Sequence, residues 1–285
     1  MGANKKKESL KDIISVFRDF RNYLGEAYLQ FAEPINLNDF LKEYPMNENL
    51  SEKDWLFRVT PILGKRIMNN INEATVVTST ALFSMALLNS DGFSISKKEL
   101  ISRIELIKSL LREDKYSSKI LVCDKSGEEI LNQMKKLGFL PQEEINDRIS
   151  LSNQEAAKLS FYRNNISHLL IFESLICGFF QYQKEILKED LIESLRMIYP
   201  FLKEEFFLKW EESELDQLID SKIKKLMEKG LILDDAEFFK RPDFKSKEFY
   251  ETQALGKLVQ PSIDRFYVLI SQLWKSSNEH ISKNI

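Results

Sequence analysis

Four times between residues 96 and 216 the sequence sets a serine, two further residues and a carboxylate ahead of an apolar run. In Ser96-x-x-Glu99, Ser126-x-x-Glu129, Ser152-x-x-Glu155 and Ser213-x-x-Asp216 the serine hydroxyl can accept from a first-turn amide. The carboxylate can reach back to the cap amide, so each pattern predicts a helix start. Leu100, Ile104, Ile107 and Leu111 share one face of the first helix, and Ile130, Met134 and Leu137 share one face of the second. The third becomes strongly apolar over residues 169–180, and Leu215, Leu218, Ile219, Ile223 and Leu226 line the fourth. Gly 9 and Pro 7 in 285 residues agree with this, because an all-β chain needs more turn residues. The fold class expected is mainly α.

The rest of the chain adds helices and a few strands. Residues 5–24 read as an amphipathic helix, with Leu10, Ile13, Ile14, Phe17, Phe20 and Leu24 at helical spacing and Gly25 as its cap. Lys5, Lys6, Lys7, Lys11, Arg18 and Arg21 give it a basic flank. Residues 27–32, short, aromatic and closed by Pro34, read as one strand with no partner nearby. A short helix is expected over 38–44. A long one is expected from Pro61 through Ile67, Ile71, Val77, Ala81 and Phe83 to Leu88.

One arrangement recurs. The helix from Ser126 ends at Gly138, followed by apolar residues 139–140, polar residues 141–144 and Arg148-Ile149-Ser150-Leu151. The helix from Ser213 ends at Gly230, followed by Leu231-Ile232-Leu233, Asp234-Asp235-Ala236-Glu237 and Phe238-Phe239. Each reads as a helix, a glycine cap and a small hairpin behind a further helix. That is one or two winged-helix-like units beside an orphan N-terminal strand. The expected division is 1–37, 38–92, 93–160 and 161–285.

Several chemistries are disfavoured. Lys+Arg 41 against Asp+Glu 44 lacks the basic excess of a general nucleic-acid binder. Lys222, Lys224, Lys225 and Lys229 share a helix with Asp216, Asp220 and Glu228, which reads as a solvated face. Cys123 and Cys177 are far apart, so neither a disulfide framework nor a zinc ribbon is expected. The first residues lack the apolar core of a signal peptide, and no transmembrane helix is expected. No phosphate-binding glycine loop is present, and no cofactor is expected. His168 has no second histidine at ligand spacing, so no metal is expected, and a packed or hydrogen-bonded role is favoured. His168 and Glu173 imitate an H-x-x-x-x-D acyltransferase motif, but an i, i+5 pair in an apolar helix shares a face poorly.

Longer patterns carry a resemblance. Tyr28-x-x-Phe31-x-Glu33-Pro34-Ile35, Asn70-Ile71-Asn72-x-Ala74 and Ser126-Gly127-Glu128-Glu129-Ile130-Leu131 come in order. Tyr162-Arg163-Asn164-Asn165-Ile166-x-His168 and Tyr199-Pro200-Phe201-Leu202-Lys203-x-Glu205-x-Phe207-Leu208-x-Trp210 follow. With them the chain resembles the C-terminal region of the bacterial glycerol-3-phosphate 1-O-acyltransferase family. The resemblance implies a parent reaction in phospholipid synthesis that moves an acyl chain from acyl-CoA or acyl-ACP onto the primary hydroxyl of glycerol 3-phosphate. It also implies that residues 28–35 are the last strand of an acyltransferase sheet. The family's catalytic blocks, H-x-x-x-x-D and Phe-Pro-Glu-Gly among them, are absent from this sequence. Ala32 stands where the family usually has Gly, and Glu173 where Pro is expected.

The function expected is therefore a non-catalytic C-terminal part, inactive alone, that braces an acyltransferase domain or upstream chain and helps seat it on the inner face of the cell membrane. No catalytic residue is assigned. Tyr162, Arg163, Asn164, Asn165 and His168 are expected in domain docking or structure. Lys5, Lys6, Lys7, Lys11, Phe17 and Phe20 are expected to meet a domain or an anionic membrane, and self-association could follow from an uncovered apolar face. Nucleic acid is not expected as a partner. The alternatives are a winged-helix-type binding module and a free-standing peripheral membrane protein.

Overall fold

A computed structural model describes residues 25–46, 50–140 and 147–282. The basic helix expected over 5–24 lies outside them. The fold is mainly α, as expected. The strand expected over 27–32 is an extended segment that joins no ladder.

Asn36 starts α1 (Leu37–Glu43) by accepting from the amides of Asn38 and Asp39. The single helix expected from Pro61 to Leu88 is two helices. Ser51 caps α2 (Glu52–Glu73), which begins nine residues earlier and keeps Pro61 in its interior, exposed. The β-branched run from Thr75 to Thr78 favours extended backbone over helix. Accordingly Val76–Val77 (β1) pairs in parallel with Leu121–Val122 (β3). Thr78 then accepts from the Ala81 amide and starts α3 (Ser79–Leu88).

From α3 onward the chain passes twice through a similar order of helix, strand, two helices and a closing strand, with one strand added between the two helices in the first pass and one before the closing strand in the second. The first pass runs α3, β2 (Ser94–Ser96), α4 (Lys97–Glu113), β3, α5 (Gly127–Lys136) and β4 (Arg148–Ser150). After α6 (Asn153–Ser167) the second runs α7 (Ile171–Phe179), β5 (Glu185–Leu187), α8 (Lys188–Phe206), α9 (Leu215–Glu228), β6 (Leu233–Asp235) and β7 (Phe238–Lys240). In both, the strand entering the second helix pairs antiparallel with the last strand, Ile95 opposite Ile149 and Ile186 opposite Phe239. The hairpin expected after Gly230 forms between β6 and β7. The one expected after Gly138 pairs otherwise, because β4 finds its partner in β2, in front of α4.

Three of the four expected serine caps form. Ser126 and Ser152 complete full boxes, their amides donating to Glu129 at 2.7 Å and to Glu155 at 2.8 Å. Ser96 accepts from the Glu99 amide, but the Glu99 carboxylate turns to Arg103 at 2.6 Å. The fourth pattern is overturned. Arg196 draws the Asp216 carboxylate to α8 at 2.8 Å, and a reciprocal pair of Glu211 and Glu214 precedes α9 instead.

The apolar run over 161–182 is core between Ile166 and Phe180, while Phe161 and Tyr182 at its ends are exposed, and it is not one helix. A 3₁₀ turn, His168–Leu170, separates α6 from α7. Ile171, Phe172, Leu175, Ile176 and Cys177 are all buried, as expected of a helix that is apolar nearly all round. The backbone of α10 (Lys247–Gly256) packs closely on α7. Ser174 Oγ donates to the Leu255 carbonyl at 2.7 Å and accepts from the Val259 amide at 2.8 Å. The last helix is α11 (Gln260–Ser282).

Two glycines test this packing. A Cβ on Gly256 would stand 2.9 Å from both the Cys177 carbonyl and Gly178 Cα, whereas one on Gly64 in α2 would meet nothing within 4 Å. Gly256→Ala is expected to cost about 1–3 kcal/mol by overpacking. Gly64→Ala is expected to gain about 0.5–1 kcal/mol through helix propensity. Urea unfolding of the two variants checks both signs.

Candidate functional site

The segments that carry the resemblance meet in one place. Residues 25–35 form an extended strap fastened to the body by side chains. Glu26 pairs with Lys125 at 2.8 Å, Glu33 pairs with Lys119 at 3.1 Å, and Gln30 Nε2 donates to the Lys119 carbonyl. Asn70 Nδ2 donates to the Glu33 carbonyl at 2.8 Å. Two residues on, Asn72 Nδ2 donates to the carbonyls of Phe206 and Phe207 at 2.8 and 3.1 Å. Asn72 thereby caps α8 where Phe207 turns left-handed at φ 50°. The Asn72 carbonyl in turn accepts from His168 Nε2 at 3.2 Å.

Behind His168 lies an aromatic cluster. Its ring meets Tyr116 edge-on at 5.3 Å, Tyr116 meets Trp210 at 4.7 Å, and Trp210 meets Phe172 at 5.7 Å. Tyr199 is buried and donates its hydroxyl to the Trp210 carbonyl at 2.6 Å. Tyr199 of the Tyr-Pro-Phe-Leu segment thus backs Trp210, whose ring in turn backs the Tyr116 ring that meets His168.

Between the strap and the body opens a cleft of about 930 Å³. Strap residues line it together with Gln133, Leu137 and Phe139. Tyr162, Asn164, Asn165 and His168 also line it, with Asn72, residues 74–76 and residues 78–81. Asn164 and Asn165 are exposed, and Tyr162 meets Phe139 edge-on at 6.1 Å. Arg163 is absent from the lining. Its half-buried guanidinium donates to Asn164 Oδ1 at 3.1 Å, and burial lowers its pKa. The sequence reading missed Thr78, Ser79 and Thr80, whose signal was a hydroxyl-bearing run directly after two valines.

The electrostatics are quiet. Among the described residues that line the cleft Glu26 is the one charged side chain, and Lys125 holds it below the usual carboxylate range. Burial pushes His168 down to about 4, a direction its hydrogen bond to Asn72 only partly reverses. The imidazole is therefore a neutral donor on a backbone carbonyl. Glu173 is occupied elsewhere, accepting from Lys222 Nζ at 2.7 Å, so the acyltransferase-like pair does not assemble. Lys222, Lys225 and Lys229 are similarly engaged, whereas Lys224 is exposed. Lys222 also meets Asp114 at 2.8 Å, Lys225 pairs with Glu113 and Glu228, and Lys229 pairs with Glu113. Among the described residues no group of His, Cys, Asp and Glu could hold a metal ion, and no helix is long and apolar enough to cross a membrane.

A family model described as glycerol-3-phosphate acyltransferase C-terminal region matches residues 1–284. The chain is 30% identical over 280 residues to a glycerol-3-phosphate acyltransferase of Pseudomonas paraeruginosa, covering 95% of this chain and 34% of that one. A glycerol-3-phosphate acyltransferase of Pseudomonas fluorescens is 29% identical over 289 residues, 99% of this chain and 35% of its own. The chain thus spans about a third of the length of the curated relatives it matches.

The burial of His168 has a measurable consequence. Its pKa is depressed in the fold, so the unfolded chain binds the extra proton first as the pH falls. The contribution of the neutral imidazole is complete above about pH 6.5 and lost progressively toward pH 4, about 3 kcal/mol in all. Urea unfolding between pH 4 and 7 should show this slope, and it should be shallower in His168→Gln.

Proposed function

Because the chain belongs to the glycerol-3-phosphate acyltransferase C-terminal region family, we propose that it is a non-catalytic docking part of such an enzyme. It braces an acyltransferase part that transfers an acyl chain from a thioester to glycerol 3-phosphate. The observation that carries this reading is the strap. Its polar side chains tie it to the body, while Leu29 and Phe31 are 83% and 82% exposed and Ile67 and Ile71 of α2 stand exposed as well. An extended segment that keeps its aromatic and aliphatic side chains in water while fixing its polar ones is prepared for a partner. The ion pairs of the α9 lysines favour this over a nucleic-acid function.

Membrane seating is the second part of the proposal. It rests on the basic flank of residues 5–24, where Lys5, Lys6, Lys7 and Lys11 would meet anionic lipid and Phe17 and Phe20 the acyl boundary or the acyltransferase part. It places the chain as a peripheral protein on the inner face of the cell membrane. Flotation with anionic vesicles is expected to fail after charge reversal at the four lysines.

The docking reading is tested by acyl transfer from acyl-CoA to glycerol 3-phosphate in the presence of phospholipid vesicles. The chain alone is expected to give no turnover above background. A hybrid enzyme, with this chain in place of the matching third of a Pseudomonas aeruginosa relative, is expected to turn over. Leu29→Ser with Phe31→Ser should leave the melting temperature of the isolated chain unchanged and lower that of the hybrid. Turnover by the chain alone, abolished in His168→Ala, would overturn the reading.

A further inference from the structure

We propose that the bare side of α2 is a helix-docking seam, and that it receives a helix of the acyltransferase part whose flanks carry carboxylates. The inference rests on the docking reading and gives it a surface and a partner chemistry apart from the strap. Of the 22 residues of α2 only Val59 and Asn72 are buried. A helix in a protein draws most of its stability from packing one face. Here Pro61 also removes a helical hydrogen bond and Gly64 adds backbone freedom, so α2 is poorly supported by what surrounds it.

The short helix α1 covers one side. Arg66 pairs with Glu43 at 2.9 Å and lies over the Phe40 ring, and Trp55 Nε1 donates to the Tyr44 carbonyl at 3.1 Å. Half a turn round from Trp55 and Arg66 stand Phe57, Pro61, Gly64, Met68 and Ile71. Their spacing alternates four and three residues, which is the narrow seam between two packed helices and not the wider stripe of a core-facing one. Phe57, Pro61 and Ile71 are exposed, and a Cβ on Gly64 would meet nothing within 4 Å. A glycine at the centre of the seam lets a second backbone approach closely.

Charge sorts the possible occupants. The charged residues at the positions flanking the seam are Lys53, Arg58 and Lys65, the last also paired with Glu204 of α8. Flanking positions of paired helices face each other, so like charges there oppose pairing and opposite charges select the partner. A second copy of α2 would bring the same three cations, and residues 5–24 carry a basic flank of their own. A helix flanked by Asp or Glu complements the seam. Met68 and Ile71, at its end, line the cleft together with Leu29 and Phe31 of the strap. The seam therefore continues the surface that the docking reading gives to the acyltransferase part.

Hydrogen exchange read by mass spectrometry tests this on the hybrid enzyme against the chain alone. In the hybrid, exchange over residues 57–71 is expected to slow at least about tenfold. Gly64→Trp should return it to the rate of the chain alone, and so should Lys53→Glu with Arg58→Glu. Ile62→Trp, exposed on α2 away from the seam, should not. Gly64→Ala should raise the melting temperature of the chain alone and lower that of the hybrid, a reversal of sign that a glycine without a partner would not show. An active hybrid with unchanged exchange would overturn the seam and leave the docking reading standing. An inactive hybrid with unchanged exchange would remove both. A dimer of the chain alone in light scattering, dissolved by Gly64→Trp, would overturn the proposal in favour of a second copy. Faster exchange over 57–71 in the chain alone after Phe17→Ser with Phe20→Ser would overturn it in favour of residues 5–24.

Discussion

The ammonium of Lys222 is buried and lies 2.7 Å from Glu173 and 2.8 Å from Asp114. Burial alone would lower its pKa, but the two carboxylates more than reverse that and hold it above the ordinary lysine range. These three residues come from α9, α7 and the end of α4, so one charge joins three helices that are distant in sequence. Removing a single partner would strand an uncompensated charge, a penalty of about 3–5 kcal/mol in buried pairs. The position of α7, and with it the packing of α10 and the aromatic wall behind His168, follows from this arrangement.

The cluster also explains why two suggestive sequence features carry no chemistry. Glu173 cannot serve His168 because it serves Lys222. Three of the four lysines over 222–229 do not present a basic face to nucleic acid, because Glu113, Asp114, Glu173 and Glu228 pair with them. Lys225 and Lys229 reach α4 through Glu113, so the helix that would read a groove in a free winged-helix unit is turned inward against its neighbour. Fold resemblance and function separate here on the placement of a few carboxylates.

The strap obeys a different logic. Four polar contacts hold it, at Glu26, Gln30, Glu33 and Asn70, and each leaves the backbone between them open. An open edge of this kind is ordinarily a liability, and charged side chains on it are a common defence against unwanted pairing. Glu26 and Glu33 stand at its two ends. A partner that shields the apolar positions between them gains buried area without displacing the anchors.

Much of the architecture could be read from local pattern. The caps at Ser126 and Ser152, the glycine turns at 138 and 230, the β6–β7 hairpin and the apolar run of α7 depend on residues within one or two turns of each other, so their physics is written in the sequence. The failures share a cause as well. Asp216 left its expected cap for Arg196 on another helix. The strand at 148–150 found its partner more than fifty residues away, and the helix expected to continue past Ala74 yielded to a strand pairing with residues 121–122. The cleft shows the same division. Tyr162, Asn164, Asn165 and His168 were singled out by the resemblance, but nothing local says that they line one cleft with Thr78–Thr80 and the strap. The sequence by itself determined where helices begin, which faces are apolar and which family the chain resembles. Only the tertiary structure decided which charges meet, because partner choice for a buried charge is a property of the assembled interior and not of sequence spacing.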